Sequence, residues 1–364
     1  MPNAHSAILR DKMARRQISA LCILSPDLQL KRISAKKLAY WALGVLILIL
    51  VATAGAGLRA PAPAAPAEKM PVILDTDIGD DIDDTWALVM LLKSPELDLK
   101  LVTTTHGKAE YRAKLICKIL NAAGRTDVPV GLGAGGLDGT GAQQAWVEEY
   151  ELKEYHGKIH HDGVQALIDL VLSLPKLVTI ISIGPSTTVA AALAKQPQIA
   201  SRARFVGMQG AVHKGYEGGP VGPEYNVKEN VPAARTALLA PWRETVITPL
   251  DTCGLVRITG ERFKRLAISD DPLVRILLEN YRIWAKKESV DDLTASSVLF
   301  DTVAVYLALP GDKRLLLLEQ LRIEVKPDGL TVIDPAGAKM SVATAWKDLA
   351  PYEDFLVSRL LAAR

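Results

Sequence analysis

Residues 75–84 read DTDIGDDIDD, six aspartates in ten positions, set between the apolar run PVIL and the segment TWALVMLL. Like charges packed this closely repel one another, and their natural complement is a hard cation held by oxygen ligands, Ca²⁺ or Mg²⁺. A simpler use accounts for part of the cluster: aspartates at a helix start cap free N–H groups and favour the helix dipole. That explains one or two of the six. A DxD strand end also fits metal-dependent phosphotransfer with Asp75 as nucleophile. Against it, Gly79 stands where that chemistry usually has Thr or Val, and no clear lysine partner follows downstream.

Histidines are the other residues able to move protons near neutrality. His106 ends a predicted strand, and YHGKIHHDG brings His156, His160 and His161 into one loop, as candidate acids, weak transition-metal ligands or solvated side chains. The three cysteines, Cys22, Cys117 and Cys253, lie far apart, with neither a disulfide framework nor a zinc spacing.

These groups need a frame. From Met70 onward short apolar runs alternate with longer amphipathic ones. PVILDTD, LKLVTTTHG, VPVGLG, LVTIISIG and ARFVGMQGA read as strands; DDTWALVMLLKS, EYRAKLICKILNAAG, DGVQALIDLVLSLP and STTVAAALAKQP read as helices. The order predicts an α/β fold, a single domain with a mostly parallel central sheet flanked by helices. DTD, THG, SIGPST and MQGAVHKG each follow a strand, so they should gather along the sheet edge where such folds bind ligands. RIEVKPDGLTVID reads as a hairpin with a DG turn.

The chain has 364 residues and a net charge of +2, which gives no argument for nucleic acid. Its start differs from the rest. Residues 1–37 are basic, with eight Lys/Arg against Asp11 and Asp27, and residues 38–58 carry no charge over 21 positions. Residues 59–69 form an Ala/Pro linker and 70–364 the globular domain. The charge-free stretch is long enough to cross a bilayer and reads as an uncleaved anchor with the N-terminus in the cytoplasm or as a signal peptide; a buried helix of the soluble domain is the bland alternative. The first two readings put residues 70–364 outside the cytoplasm.

PVILDTDIGDDIDDTWAL resembles the N-terminal signature of the nucleoside hydrolases, the inosine–uridine-preferring N-ribohydrolase family. The resemblance continues in order through LVTTTHG, VPVGLG, VTIISIGPSTTVAAAL, FVGMQGAV, PEYNV and LFDTVAVYLAL, over roughly residues 70–335. It implies Ca²⁺-dependent hydrolysis of the N-glycosidic bond of ribonucleosides, with one Ca²⁺ at the pocket floor binding the ribose hydroxyls and the attacking water.

Carried over position by position, Asp77 is the metal ligand and general base. Anchoring the remaining aspartates on the helix DDTWAL, whose apolar face fixes the register, makes Asp84 a metal ligand and Asp83 a ribose-hydroxyl partner. Anchoring on Gly79 promotes Asp80 and Asp81 instead. The Ile183 carbonyl and Asp301 complete the implied metal set; Glu224 and Asn226 of PEYN hold ribose hydroxyls. The asparagine usually found before that motif has no clear counterpart in HKGYEGGPVG, and Lys108 stands where the family often has Asn.

Many members place a histidine, as leaving-group acid, before the aspartate matching Asp301; here it is Phe300. An aromatic there stacks on the base, as in some purine-preferring members, which leans the substrate expectation towards purines; packing is the plain alternative. Trp284 and Tyr281, spaced i, i+3, are candidate pocket walls, as is Trp146, and His106 is a candidate substrate contact. The partners expected are a ribonucleoside, no nucleic acid and, if the leading segment is retained, a membrane; a homo-oligomer stays open. A member altered so that it binds a nucleoside or sugar without turnover is the competing reading.

Overall fold

Apolar runs too short for a helix and lacking polar alternation form strands covered on both faces. The computed structural model describes residues 69–311, 313 and 315–363. The basic lead, the charge-free stretch 38–58 and the linker up to residue 68 lie outside the described residues. Among the described residues no helix is long and apolar enough to cross a membrane.

Ten strands make one sheet: β1 (Met70–Thr76), β2 (Leu97–Thr104), β3 (Val130–Gly131), β4 (Ile159–His160), β5 (Val178–Ser182), β6 (Ala203–Met208), β7 (Glu244–Thr248), β8 (Leu316–Val325), β9 (Thr331–Ile333) and β10 (Ala338–Trp346). Their order across the sheet is β4-β3-β2-β1-β5-β6-β7-β10-β8-β9. Pairing is parallel from β4 to β10 and antiparallel only in the β10-β8-β9 end. Strand order reverses at β1, which pairs with β2 on one side and β5 on the other. Connections leave such a point in opposite directions and open a crevice beyond the strand ends. The acidic loop follows β1 directly.

Apolar layers cover both faces of the sheet, one around Trp86, Met90 and Leu115, the other around Leu167, Val189 and Phe205. In the first lies the helix Asp83–Leu92, every residue of which is buried. The helix Phe300–Ala308 is buried from Asp301 onward. Helices apolar on all sides belong inside a fold, and their polar starts must then be satisfied locally.

The sequence expectations differ from the structure in a few places. The THG segment is not strand: β2 ends at Thr104, and His106, Gly107 and Lys108 all take left-handed backbone (φ 59°, 73° and 51°). The expected histidine loop contains β4, an edge strand. The C-terminal hairpin holds as β8 and β9, but β10, with no sequence expectation, joins it to the parallel sheet.

Candidate active site

Two helix starts converge at the crevice. Asp83 and Asp84 open the helix Asp83–Leu92, and Asp301 is the second residue of Phe300–Ala308. The Asp301 N–H donates to Asp83 Oδ2 at 3.2 Å. Asp83, Asp84 and Asp301 each present an oxygen within 4.8 Å of the others. Burial pushes all three carboxyls well above the usual carboxylate range, and repulsion from neighbouring aspartates adds to it. The positive ends of two helix dipoles lower the cost of this arrangement, and Thr76 Oγ1 donates to Asp84.

Asp77 stands beside the cluster, buried, its pKa raised to about 7 by desolvation against the opposing pull of Arg112. Gly79, at φ 115°, turns the chain after it; a Cβ there would meet the Tyr111 ring at 2.5 Å.

A cavity of about 500 Å³ opens above these residues. Asp77, Asp81, Asp83, Asp84, Ile183, Glu224, Asn226, Trp284, Phe300 and Asp301, all expected at the site, line it. Asp80 does so too, but its carboxylate is paired with Lys108 (2.6 Å) and Arg112 (3.0 Å). Asp81 accepts from the N–H of Ile82 at 2.8 Å.

Glu224 caps the helix Tyr225–Lys228; its carboxylate accepts from the N–H groups of Asn226 (2.7 Å), Gly210 (2.8 Å) and Val227 (3.3 Å). Burial lifts its pKa to about 7. Asn226 Nδ2 donates to the carbonyls of Met208 (3.0 Å) and Ile183 (3.3 Å), so the PEYN segment braces the Ile183 carbonyl.

The upper wall is aromatic. Phe300 lies 5.9 Å from Tyr216, ring centre to ring centre, with planes inclined 33°. Trp284 stacks on Tyr281 at 5.8 Å and donates its indole N–H to the Asp80 carbonyl at 3.0 Å. Tyr216 and Tyr225 also line the cavity and were not singled out from sequence. Tyr225 is the third residue of PEYN. Tyr216 sits in a glycine-rich loop whose start is held by Asp251, which accepts from the N–H groups of His213 (2.7 Å) and Val212 (2.8 Å).

Some expectations need correction. His106 does not line the cavity; its ring stands edge-on to Tyr225 at 6.3 Å, with Glu229 3.9 Å away. It touches a wall residue, and substrate contact is not what the left-handed turn arranges. His160 lies in β4, three strands from β1, away from the crevice. Trp146 is covered by the Lys118 ammonium at 4.5 Å and lies off the cavity. Asp75, the alternative phosphotransfer nucleophile, is fully buried, accepts from Thr103 Oγ1 at 2.7 Å and does not line the cavity. A nucleophile must reach its substrate, and this one is sealed beneath the floor.

The donor set fits a hard divalent cation. Carboxylate and carbonyl oxygens dominate it. Lys108 and Arg112 both spend their charge on Asp80, and among the described residues no ion pair reaches Asp77, Asp83, Asp84 or Asp301. Four buried acids without a paired cation call for one.

The comparisons agree with this geometry. The profile described as "Inosine-uridine preferring nucleoside hydrolase" matches residues 72–350. The inosine-uridine preferring nucleoside hydrolase of Crithidia fasciculata is 26% identical over 276 residues, 71% of this chain and 84% of that protein. A pyrimidine-specific ribonucleoside hydrolase of Escherichia coli is 29% identical over 229 residues, 58% of this chain and 70% of that one. Among solved structures, a plant nucleoside hydrolase superposes with a TM-score of 0.68 at 24% identity, covering 81% of this chain and 100% of its own. A purine-preferring ribonucleoside hydrolase from Gardnerella vaginalis gives 0.62 at 23%, covering 80% and 98%. At these identities the structural likenesses speak for the fold; the profile, spanning β1 to the start of the last helix, speaks for the family. With the acidic loop, PEYN and the Asp301 helix in its span, the chain belongs to the inosine-uridine preferring nucleoside hydrolase family.

Proposed function

We propose that the protein hydrolyses the N-glycosidic bond of ribonucleosides to free base and ribose, with Ca²⁺ as cofactor and purine nucleosides as preferred substrates. The observation that carries it is the buried knot of Asp83, Asp84 and Asp301 facing a cavity with an aromatic wall. Such a cavity takes a polyhydroxylated sugar at its floor and a flat base above.

Asp77, Asp84, Asp301 and the Ile183 carbonyl would hold the metal. Bound there, the ion supplies polarisation of a water and of the ribose hydroxyls. The chain's own residues do the rest. Asp77, which lines the cavity floor, takes the proton from the attacking water. Asp83, Asp84 and Asp301 surround the sugar with negative potential, which favours the oxocarbenium-like transition state over the neutral ground state. Asp83, Glu224 and Asn226 orient the ribose hydroxyls. Phe300 and Tyr216 face the base, and stacking on their rings makes its ring nitrogen easier to protonate as it leaves.

The purine preference is supported by the three aromatic side chains, Phe300, Tyr216 and Trp284, that line the cavity. The charge-free stretch 38–58 behind a basic lead supports action outside the cytoplasm, with the domain tethered or released.

Ribose release from inosine, adenosine, guanosine, uridine and cytidine, with and without chelator, tests the reading. Turnover that chelation abolishes and Ca²⁺ restores is expected. No turnover on any of the five, with Ca²⁺ still bound, would leave a binding protein in place of an enzyme.

A further inference from the structure

The acidic loop carries a cation of its own. Arg112, on the helix Ala109–Ala122, is fully buried. Its Nη1 donates to the Asp77 carbonyl and, at 3.0 Å, to that of Ile78. Nε donates to the Gly107 carbonyl at 2.9 Å; Nη2 donates to the Asp80 carboxylate at 3.0 Å and the His106 carbonyl at 3.3 Å. One planar fork thus ties the loop after β1 to the left-handed turn after β2.

The clamp meets Asp77 through its main chain, which leaves the carboxylate facing the cavity. With Lys108 it also holds the Asp80 carboxylate, and the Asp80 carbonyl in turn receives the Trp284 indole. Floor and wall are therefore set from one side chain. A lysine has three donors on a single nitrogen and cannot span these acceptors.

We propose that Arg112 is the positioning residue of the active site: its guanidinium fixes the 77–80 segment so that the Asp77 carboxylate and the Trp284 ring hold their places, and it reserves Asp80 for structure. The proposal rests on the nucleoside hydrolase reading for its chemical meaning, and its test separates the two.

Arg112→Lys and Asp80→Asn are made in the full chain. Ca²⁺ affinity is read by titration calorimetry, hydrogen exchange of the 77–84 segment in the chelated protein, and kcat and KM on inosine. Arg112→Lys is expected to weaken Ca²⁺ binding and kcat by about tenfold to a hundredfold, and to speed exchange in 77–84 while the sheet core stays protected. Asp80→Asn is expected to keep Ca²⁺ affinity within about threefold and to raise KM more than it lowers kcat, since it slackens the Asp80 main chain that receives Trp284 while the Arg112 bonds to the Asp77 and Ile78 carbonyls stay in place. Native Ca²⁺ affinity and native exchange in Arg112→Lys would overturn the proposal. So would loss of Ca²⁺ binding in Asp80→Asn, because Asp80 would then be a ligand. If Arg112→Lys does not fold, Asp80→Asn still decides. If the wild-type chain turns over no nucleoside, the functional reading fails, and the exchange measurement still judges Arg112.

Discussion

Gly184 lies so close to Asp77 that a Cβ on it would sit 2.6 Å from Asp77 Oδ1. No real Cβ makes such a contact, so Gly184→Ala must push the carboxylate aside. Misplacing a catalytic group by a fraction of an ångström costs up to about 10²-fold in rate. The expected result is a kcat reduced about tenfold to a hundredfold with little change in melting temperature. Activity within twofold of wild type would show that the Asp77 carboxylate is not held where the reaction needs it.

Removing the base outright is the stronger cut. Asp77→Ala is expected to lower turnover by about 10²–10⁴-fold while near-UV circular dichroism stays native, because Asp77 lines the cavity and belongs to neither apolar layer. Retained ribose release would refute its role as base.

Phe300 sits where base stacking, not proton donation, is the available help. Phe300→Ala should cost a purine nucleoside about tenfold in kcat/KM, the scale of an aromatic contact, and cost nitrophenyl riboside, whose leaving group needs no protonation, much less. Equal losses on both substrates would mark Phe300 as packing.

Metal removal exposes the electrostatics of the floor. Burial raises Asp75 to about 8 and both Asp77 and Glu224 to about 7, whereas in the unfolded chain they titrate near 4. The folded state therefore binds more protons between these values, and its stability falls as pH rises. In the chelated protein the melting temperature should drop from pH 5 to pH 8. Ca²⁺ held by these acids would bind only the folded state and compete with those protons, so its stabilisation should be larger at pH 8 than at pH 5. A chelated protein that melts higher at pH 8 than at pH 5 would contradict this.

The acidic loop was legible because charge density at a strand–helix junction is conspicuous, and Asp301 because LFDTVAVYLAL continues the family resemblance. Arg112 was not, since an arginine in an amphipathic helix ordinarily reads as solvated. A signal existed all the same: Ala109, Arg112, Ala113 and Ile116 follow helical spacing and are all buried, so the arginine lies on the apolar face. Tyr216 had no such signal. It stands in a glycine-rich loop without periodicity, held by Asp251 and Arg257, which come 35 and more positions later in the chain. β10 was missed because its parallel partner, β7, lies far back in the chain. His106 was misjudged because strand-end position is readable from sequence, while the direction of a left-handed turn is not.

The contact between Asp83 and the Asp301 N–H joins residues 218 positions apart. A chain emerging from the ribosome completes the acidic loop early and carries it through most of its synthesis without the helix that closes the site. Catalytic competence therefore waits until residue 301 has been made.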